Sequence, residues 1–247
     1  MFLRFKTFTL FTLLLLTVAV AVFAQEKTTE KPKTIKSGKT STAEQIAESG
    51  IFGYGFPGGR ETLKQIRKTT FERGKFTQIN GEGKSEKSNF ERYIVRAESL
   101  DKEKIRFEQE FPNVRFGLIS DGEKIFGVLN DTIFTPRDDA MNSFQNQIFH
   151  GLEALLRYKE NGSEITLGEK EKIMGVEFYP LDVTDKQSRK TRFFVSAKSF
   201  RVMMLEYTEG GVKYVRKFYD YNYAQGTLVP YRTVLWANDK QVEELET

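Results

Sequence analysis

The residues that could carry out chemistry in this chain are few, and their types exclude most catalytic arrangements. The 247 residues include one histidine, His150, and no cysteine. Zinc sites and nucleophile-base-acid arrangements are built from such side chains, so they lack their parts here. His150 falls off the apolar stripe of the helix predicted around it, and we expect it at the surface or the rim of the fold.

Carboxylates are the remaining candidates for acid-base chemistry. Asp138 and Asp139 are adjacent at a predicted helix start, where they complement the helix dipole but do not face each other as a glycosidase pair must. Asp182 and Asp185 suit a strand end and a turn. No acid pair can be singled out, so we expect a non-catalytic protein that uses no cofactor and no metal.

A glycine-rich stretch, residues 53–58 (G-Y-G-F-P-G), matches the G-x-G-x-x-G spacing of a dinucleotide-binding turn. A true fingerprint follows an apolar strand and opens a helix, whereas a polar segment precedes this one and Pro57 interrupts it. The pattern predicts a loop in which glycines supply unusual dihedral angles. An alternative is a gate loop, in which Phe52, Tyr54 and Phe56 close over an apolar mouth.

The N-terminus predicts export. Arg4 and Lys6 precede an apolar core of about fifteen residues and a small-residue cleavage pattern ending at Ala24, which is typical of a signal peptide over 1–24. Residues 25–50 predict a flexible polar leader with a short helix, and residues 51–247 a single domain. The expected location is the periplasm, as a soluble protein after cleavage. The alternative is an uncleaved N-terminal anchor, for which the apolar run is at the short end of the length that spans a bilayer.

Charge excludes one class of partner. Removing Arg4 and Lys6 from the 38 basic residues leaves 36 against 34 acidic ones, spread along the chain. A nucleic-acid-binding domain shows a concentrated basic stripe instead. We therefore expect no nucleic acid as a partner.

The segment from Lys172 to Trp236 predicts an antiparallel meander, because its short runs are rich in β-branched and aromatic residues and end in turn signals. Several runs are apolar on both parities: Met203 and Leu205 project to one face and Val202 and Met204 to the other. Both faces of the sheet therefore need cover.

One long helix is predicted between Asp138 and Tyr158, where apolar residues recur every three or four positions, and we expect it to cover one face of the meander. Upstream, Ile105 to Phe111 alternates as a half-buried strand, and Ile125 to Leu129 is predicted to pair back across a turn at Asp121-Gly122. Leu63 to Phe76 is ambiguous between helix and strand, and a strand is favoured. A capping box at residues 41–44 predicts a short helix ending at Gly50.

With these elements in order, the chain resembles the family of LolA-like outer-membrane lipoprotein-sorting proteins. The residues that carry the resemblance describe strands and turns, and the likeness runs from about Leu63 to the C-terminus. They are Ile119-Ser120-Asp121-Gly122, residues 175–183, Arg192-Phe193, Glu206-Tyr207, Tyr219-Asp220-Tyr221, Gly226 and Leu228-Val229-Pro230-Tyr231.

The resemblance implies a mainly β (α+β) fold: an incomplete antiparallel β-barrel of about ten strands wrapped on one long and a few short helices, with an apolar cavity between them. It also implies a carrier or chaperone that holds lipid or lipoprotein acyl chains in that cavity during transport, with membrane-bound donor and acceptor proteins as partners. The family includes sensor domains, so a periplasmic sensor or scaffold acting through protein contacts without lipid is the alternative.

Aromatic and methionine side chains on the predicted strands are the candidates for lining the cavity. Which parity faces the cavity is open at this stage, so the candidates are drawn from both. They are Phe107, Phe116, Phe178, Phe193, Met204 and Tyr207.

Overall fold

The structure is a computed structural model that describes residues 41–247. The predicted signal peptide, 1–24, and the leader as far as residue 40 lie outside the described residues. Within the described part, no helix has the length and apolar character needed to cross a membrane.

Four α-helices and fourteen β-strands make up the described chain. The helices are α1 (Ala43–Tyr54), α2 (Arg60–Ile66), α3 (Asp138–Phe149) and α4 (Leu152–Leu156). The strands are β1 (Thr69–Ile79), β2 (Ser85–Val95), β3 (Lys104–Glu110), β4 (Arg115–Ser120), β5 (Ile125–Leu129), β6 (Thr132–Phe134), β7 (Glu164–Leu167), β8 (Glu171–Ile173), β9 (Val176–Thr184), β10 (Lys190–Ser196), β11 (Val202–Glu209), β12 (Val212–Ala224), β13 (Thr227–Ala237) and β14 (Lys240–Glu246).

All the strands belong to one antiparallel sheet, in the order β6-β5-β4-β3-β2-β1-β14-β13-β12-β11-β10-β9-β7, with β8 also paired to β9. The sheet does not close on itself, because β6 and β7 form its two ends. The prediction of a mainly β, incomplete antiparallel barrel is therefore confirmed. The strand number is fourteen rather than about ten, since short edge strands such as β6, β7 and β8 carry too few residues to show a clear alternation.

Strand β14 joins the two halves of the sheet. It pairs with β13 on one side and with β1 on the other, where Phe76 lies opposite Leu245. The approach to β1 is close: a Cβ atom on Gly74 would lie 1.8 Å from the backbone oxygen of Glu246. Only glycine fits this position, so Gly74 is required where the two halves meet.

Two apolar clusters lie between the sheet and the helices, on the face that we call the inner face. The large cluster combines residues of α1, α2 and α4 with Leu181, Phe193 and Leu205 of the meander. The small cluster combines Phe144 of α3 with strands of the first half and with Leu245 of β14. The helices therefore cover both halves of one continuous inner face.

The prediction of one helix from Asp138 to Tyr158 is wrong in two respects. The chain breaks after Phe149 into α3 and α4, and Gly151 between them adopts an extended conformation with φ −86° and ψ 175°. In addition, Phe144 of α3 packs in the small cluster, so α1 and α4 supply most of the helical cover of the meander.

Helix α1 is longer and more deeply packed than its sequence suggested. Its capping box joins Thr42 and Gln45, and the helix continues through Gly50 to Tyr54. A Cβ atom on Gly50 would lie 2.9 Å from the backbone oxygen of Phe200. Gly50 is therefore a packing position and not a stop signal. Between Leu63 and Phe76 the structure contains both predicted elements, the end of α2 and the start of β1.

Candidate functional site

The structure sorts the six candidate lining residues onto two faces of the sheet. Phe107, Phe193 and Tyr207 are buried in the apolar clusters of the inner face, and Phe116 packs at the rim of the small cluster. These four lie beneath the helices. A ligand held between the sheet and the helices would therefore contact these inner-face residues.

Phe178 and Met204 lie on the opposite, outer face. Phe194 pairs with Met204 in the ladder and packs edge-to-face on Phe178, with ring centroids 6.2 Å apart. Phe193, the neighbour of Phe194 in the chain, faces inward with 0% of its surface exposed. The apolar residues on the two faces of the meander are therefore packed in two different ways. Those on the inner face contact the helices, and those on the outer face contact one another.

The three predicted gate residues do not act as one surface. Phe52 and Phe56 are about half exposed and contact each other edge-to-face, with centroids 5.6 Å apart. Tyr54 instead points into the core, where its hydroxyl lies 2.8 Å from that of Tyr221 and accepts a hydrogen bond from the backbone N–H of Val202 at 3.2 Å. Burial raises the pKa of Tyr54 to about 12.

His150 is buried, so the expectation of a surface or rim position is wrong. Only 2% of its surface is exposed, and its ring stacks on Tyr207 at 4.0 Å. Its Nδ1 lies 2.7 Å from Thr191 Oγ1, and its Nε2 has no hydrogen-bond partner among residues 41–247. Burial lowers the pKa of His150 to about 4, with the charges of Arg189 and Arg216 adding to the effect and that of Asp185 opposing it. The ring is therefore neutral near pH 7.

Polar side chains occupy the inner face between the two apolar clusters. We call Gln147, His150, Arg216 and Glu243 the inner polar set. Arg216 and Glu243 both lie opposite Leu235 in the ladder, on either side of β13, and their side chains approach to 3.9 Å. Gln147 Nε2 of α3 donates to Glu243 at 3.4 Å. Sequence reasoning missed this set, because alternating strands show which residues share a face but not which helix covers them.

Charged side chains connect helices α2 and α4 to the sheet. Glu153 of α4 accepts from Arg67 at 2.6 Å and from Arg96 at 2.8 Å. Arg67 also donates to the backbone oxygen of Leu228 at 2.8 Å, and Arg157 pairs with Glu103. This network ties α2 and α4 to both halves of the sheet.

Two surface cavities of the described residues are lined by side chains other than the six candidate lining residues. One of about 540 Å³ opens along β1 to β4 and is lined mainly by charged side chains, including Arg73, Glu108 and Arg115. The other, of about 190 Å³, lies beside the junction of α3 and α4 and the β9–β10 turn. Between the helices and the sheet, Phe107, Phe193 and Tyr207 are instead packed within the apolar clusters.

The aspartates take structural positions. Asp138 and Asp139 lie in the first turn of α3, while Asp182 pairs with Arg192 and Asp185 accepts backbone hydrogen bonds in the β9–β10 turn. No group of three His, Asp or Glu side chains that could hold a metal occurs in the described residues. The glycine-rich stretch is the end of α1 and the turn before α2, and no strand precedes it among these residues.

Comparisons with known proteins place this geometry in a structural class. No family model matches the chain, and no curated protein matches it. Solved structures do match. A LolA superfamily protein from Nitrosomonas europaea has a TM-score of 0.56 at 13% identity, covering 83% of this chain and 91% of that one.

Two further structures show the same likeness. A DUF1329 family protein from Desulfovibrio piger has a TM-score of 0.56 at 12% identity, covering 84% of this chain and 91% of its own. A domain described as a putative outer membrane lipoprotein-sorting protein, from Vibrio parahaemolyticus, has a TM-score of 0.53 at 14% identity, covering 83% and 91%. The chain therefore has the LolA-like fold, as its sequence signatures predicted, and at these identities the likeness concerns the fold alone.

Proposed function

We propose that this protein is a non-catalytic periplasmic carrier that holds lipid acyl chains, free or as part of a lipoprotein, between the inner face of the sheet and the helices. One observation carries the proposal. The inner face of a single open sheet carries an apolar cluster in each half, and in residues 41–247 its cover is a layer of short, separate helices rather than a second sheet.

The physical basis is replacement of the helices by acyl chains as the apolar surface that packs on the inner face of the sheet. Helices joined by short turns can move away from the sheet without breaking the β-ladder, and acyl chains can then take their place against the same side chains. Burial of an alkyl chain contributes about 0.8 kcal/mol per methylene group, and this gain opposes the loss of helix contacts. The LolA-like fold of the structures above supports this reading.

The test is direct detection of lipid. Protein purified without detergent is extracted with organic solvent and the extract is examined by mass spectrometry, and uptake of the neutral dye N-phenyl-1-naphthylamine is titrated in parallel. We expect co-purified lipid and saturable dye uptake. Absence of both would overturn the carrier proposal.

A matched pair of variants locates the binding face. Phe116→Glu places a charge at the rim of the small cluster, and Phe71→Glu makes the same change on the outer face, where Phe71 is 50% exposed. We expect Phe116→Glu to reduce dye affinity at least tenfold and Phe71→Glu to leave it unchanged, with both variants folded by circular dichroism. The reverse pattern would contradict binding on the inner face.

The alternative, a sensor or scaffold that acts through protein contacts, is favoured by one surface feature. Phe71 and Tyr93 lie opposite each other on β1 and β2 with ring centroids 4.8 Å apart, and both are substantially exposed beside Val95. Such a patch suits a protein partner. Under this alternative the solvent extract contains no lipid. Phe71→Glu, and not Phe116→Glu, is then the variant that loses binding to the protein partner.

A further inference from the structure

We propose that Arg216 is the head-group site of the carrier, and that the ligand it selects is a single-chain lipid with a free carboxylate. This inference rests on the proposed function and narrows it to a ligand class. The observation behind it is a buried guanidinium whose hydrogen-bonding capacity is incompletely used, placed where two apolar surfaces meet.

The state of the Arg216 side chain is unusual for a buried charge. Its side chain is 10% exposed, and its Nη2 has no hydrogen-bond partner among residues 41–247. The nearest carboxylate oxygen, on Glu243, lies 3.9 Å away, which is too far for a hydrogen bond. A buried charge with unmet donors is costly, so an acceptor that enters this position gains more than one at the surface.

The surroundings of Arg216 fit an amphipathic ligand. On one side of the inner polar set lies the large cluster, through Leu205 and Tyr207, and on the other lies the small cluster, through Leu245. A chain lying against either cluster can therefore bring its polar end to Arg216. The planar guanidinium can donate two parallel hydrogen bonds to a carboxylate, a geometry that an ester or an alcohol does not match.

His150 supplies a second polar atom in the same set. Its Nε2 is also unpartnered among the described residues, and its other ring nitrogen contacts Thr191. A head-group oxygen at Nε2 selects the tautomer in which Nε2 carries the proton and the Thr191 hydroxyl donates to Nδ1. The neutral ring can thus donate one hydrogen bond without adding a second buried charge.

The carboxylate of Glu243 would repel the carboxylate of the ligand, and this repulsion can be tested directly. The ligand carboxylate and Glu243 would both interact with Arg216. Burial raises the pKa of Glu243, so the negative charge of Glu243 is less favourable than it is at the surface. Arg92 lies within electrostatic reach of Glu243, but it is paired with Glu72 on the neighbouring strand. Removing the charge of Glu243 should therefore strengthen carboxylate binding.

The experiment measures displacement of N-phenyl-1-naphthylamine by oleate and by methyl oleate from the full chain. We expect the wild type to prefer oleate by about tenfold. Arg216→Gln should lose that preference by weakening oleate alone, and Glu243→Gln should increase it. Arg232→Gln is the matched control, because Arg232 lies on the outer face of the same meander and pairs with Glu244 at 2.6 Å.

The outcomes separate this inference from the proposed function. Equal weakening of oleate and methyl oleate in Arg216→Gln would show that Arg216 only maintains the fold, and would overturn the inference. Dye uptake that a diacyl phospholipid displaces but oleate does not would overturn it while leaving the carrier function intact. Wild-type protein that takes up neither dye nor lipid would overturn both.

Discussion

The two halves of the sheet share one inner face but differ in how it is covered. In the large cluster, 19 residues are buried and eight of them come from α1, α2 and α4. In the small cluster, seven are buried and only Phe144 comes from a helix. The meander half is therefore sealed by several helices, whereas the first half depends on α3.

This difference indicates where a ligand would enter. Helices α2 and α4 are fixed to the sheet by the network of Arg67, Arg96 and Glu153. Among residues 41–247, the contacts of α3 with the sheet through polar side chains are uncharged on the helix side: Gln147 donates to Glu243 at 3.4 Å, and the C-cap residue His150 lies 2.7 Å from Thr191. Lifting α3 exposes the small cluster and the inner polar set together. In hydrogen exchange, we therefore expect lower protection in α3 than in α1.

The largest effect expected is on core packing. Phe193→Ala should lower the free energy of unfolding by about 4 kcal/mol, because Phe193 is fully buried in the large cluster. Phe116→Ala, at the partly buried rim of the small cluster, should cost about half as much. Urea unfolding followed by circular dichroism measures both. Equal losses would show that the two halves are equally sealed.

The next effect concerns His150, which packs on β10 and β11 of the meander half. In the folded protein the pKa of His150 is about 4, below its ordinary value of about 6.5. Above pH 6.5 the imidazole is therefore neutral in both the folded and the unfolded chain. As the pH falls from 6.5 to 4, the unfolded chain takes up a proton that the folded chain does not, and stability falls by about 3 kcal/mol.

His150→Gln tests this dependence, because His150 is the sole histidine and the carboxylates contribute equally to both proteins. Subtracting the variant's unfolding free energy from that of the wild type at each pH should give a difference that falls between pH 6.5 and 4. A difference that is constant with pH would show that the folded ring takes up its proton at an ordinary pH, and so is not desolvated.

Much of the fold, though not its helical cover, could be predicted from the sequence. Alternation in Ile105–Phe111 and the turn at Asp121-Gly122 identified β3 and the β4–β5 pairing, because these signals are local. The break between α3 and α4 could not be read from apolar spacing, since the spacing continues across Gly151. Likewise, the exposure of His150 depended on which elements pack over the helix.

The candidate site was harder to predict for the same reason. Strand alternation predicted that Val202 and Met204 share a face, and this is wrong. A β-bulge between Phe194 and Val195 shifts the register, so that Val202 lies in the large cluster and Met204 on the outer face. Arg216 gave no sequence signal at all, because a charged residue within an alternating strand is usually on its wet face. Its surroundings are set by tertiary contacts: Arg216 approaches Glu243 of β14 across β13, and Glu243 accepts a hydrogen bond from Gln147 of α3.

A smaller effect is expected in the charged network of Arg67, Arg96 and Glu153. Glu153→Gln should cost about 2 kcal/mol, because Arg67 and Arg96, each 11% exposed, both lose their charged acceptor. Glu160→Gln is the matched control, since Glu160 pairs with Arg60 alone and the pair is more exposed. Thermal unfolding ranks the two. A loss from Glu160→Gln as large as that from Glu153→Gln would contradict a special role for the network.

The smallest effect concerns the start of α1. Thr42→Ala removes one side of the capping box with Gln45 and should cost about 1 kcal/mol, whereas Thr42→Ser keeps the hydroxyl and should cost little. Because α1 seals only the meander half, the loss should appear as faster hydrogen exchange in α1 with dye uptake unchanged. Faster dye uptake in Thr42→Ala would show instead that α1 is the helix that lifts, since weakening its first turn would then ease entry to the large cluster.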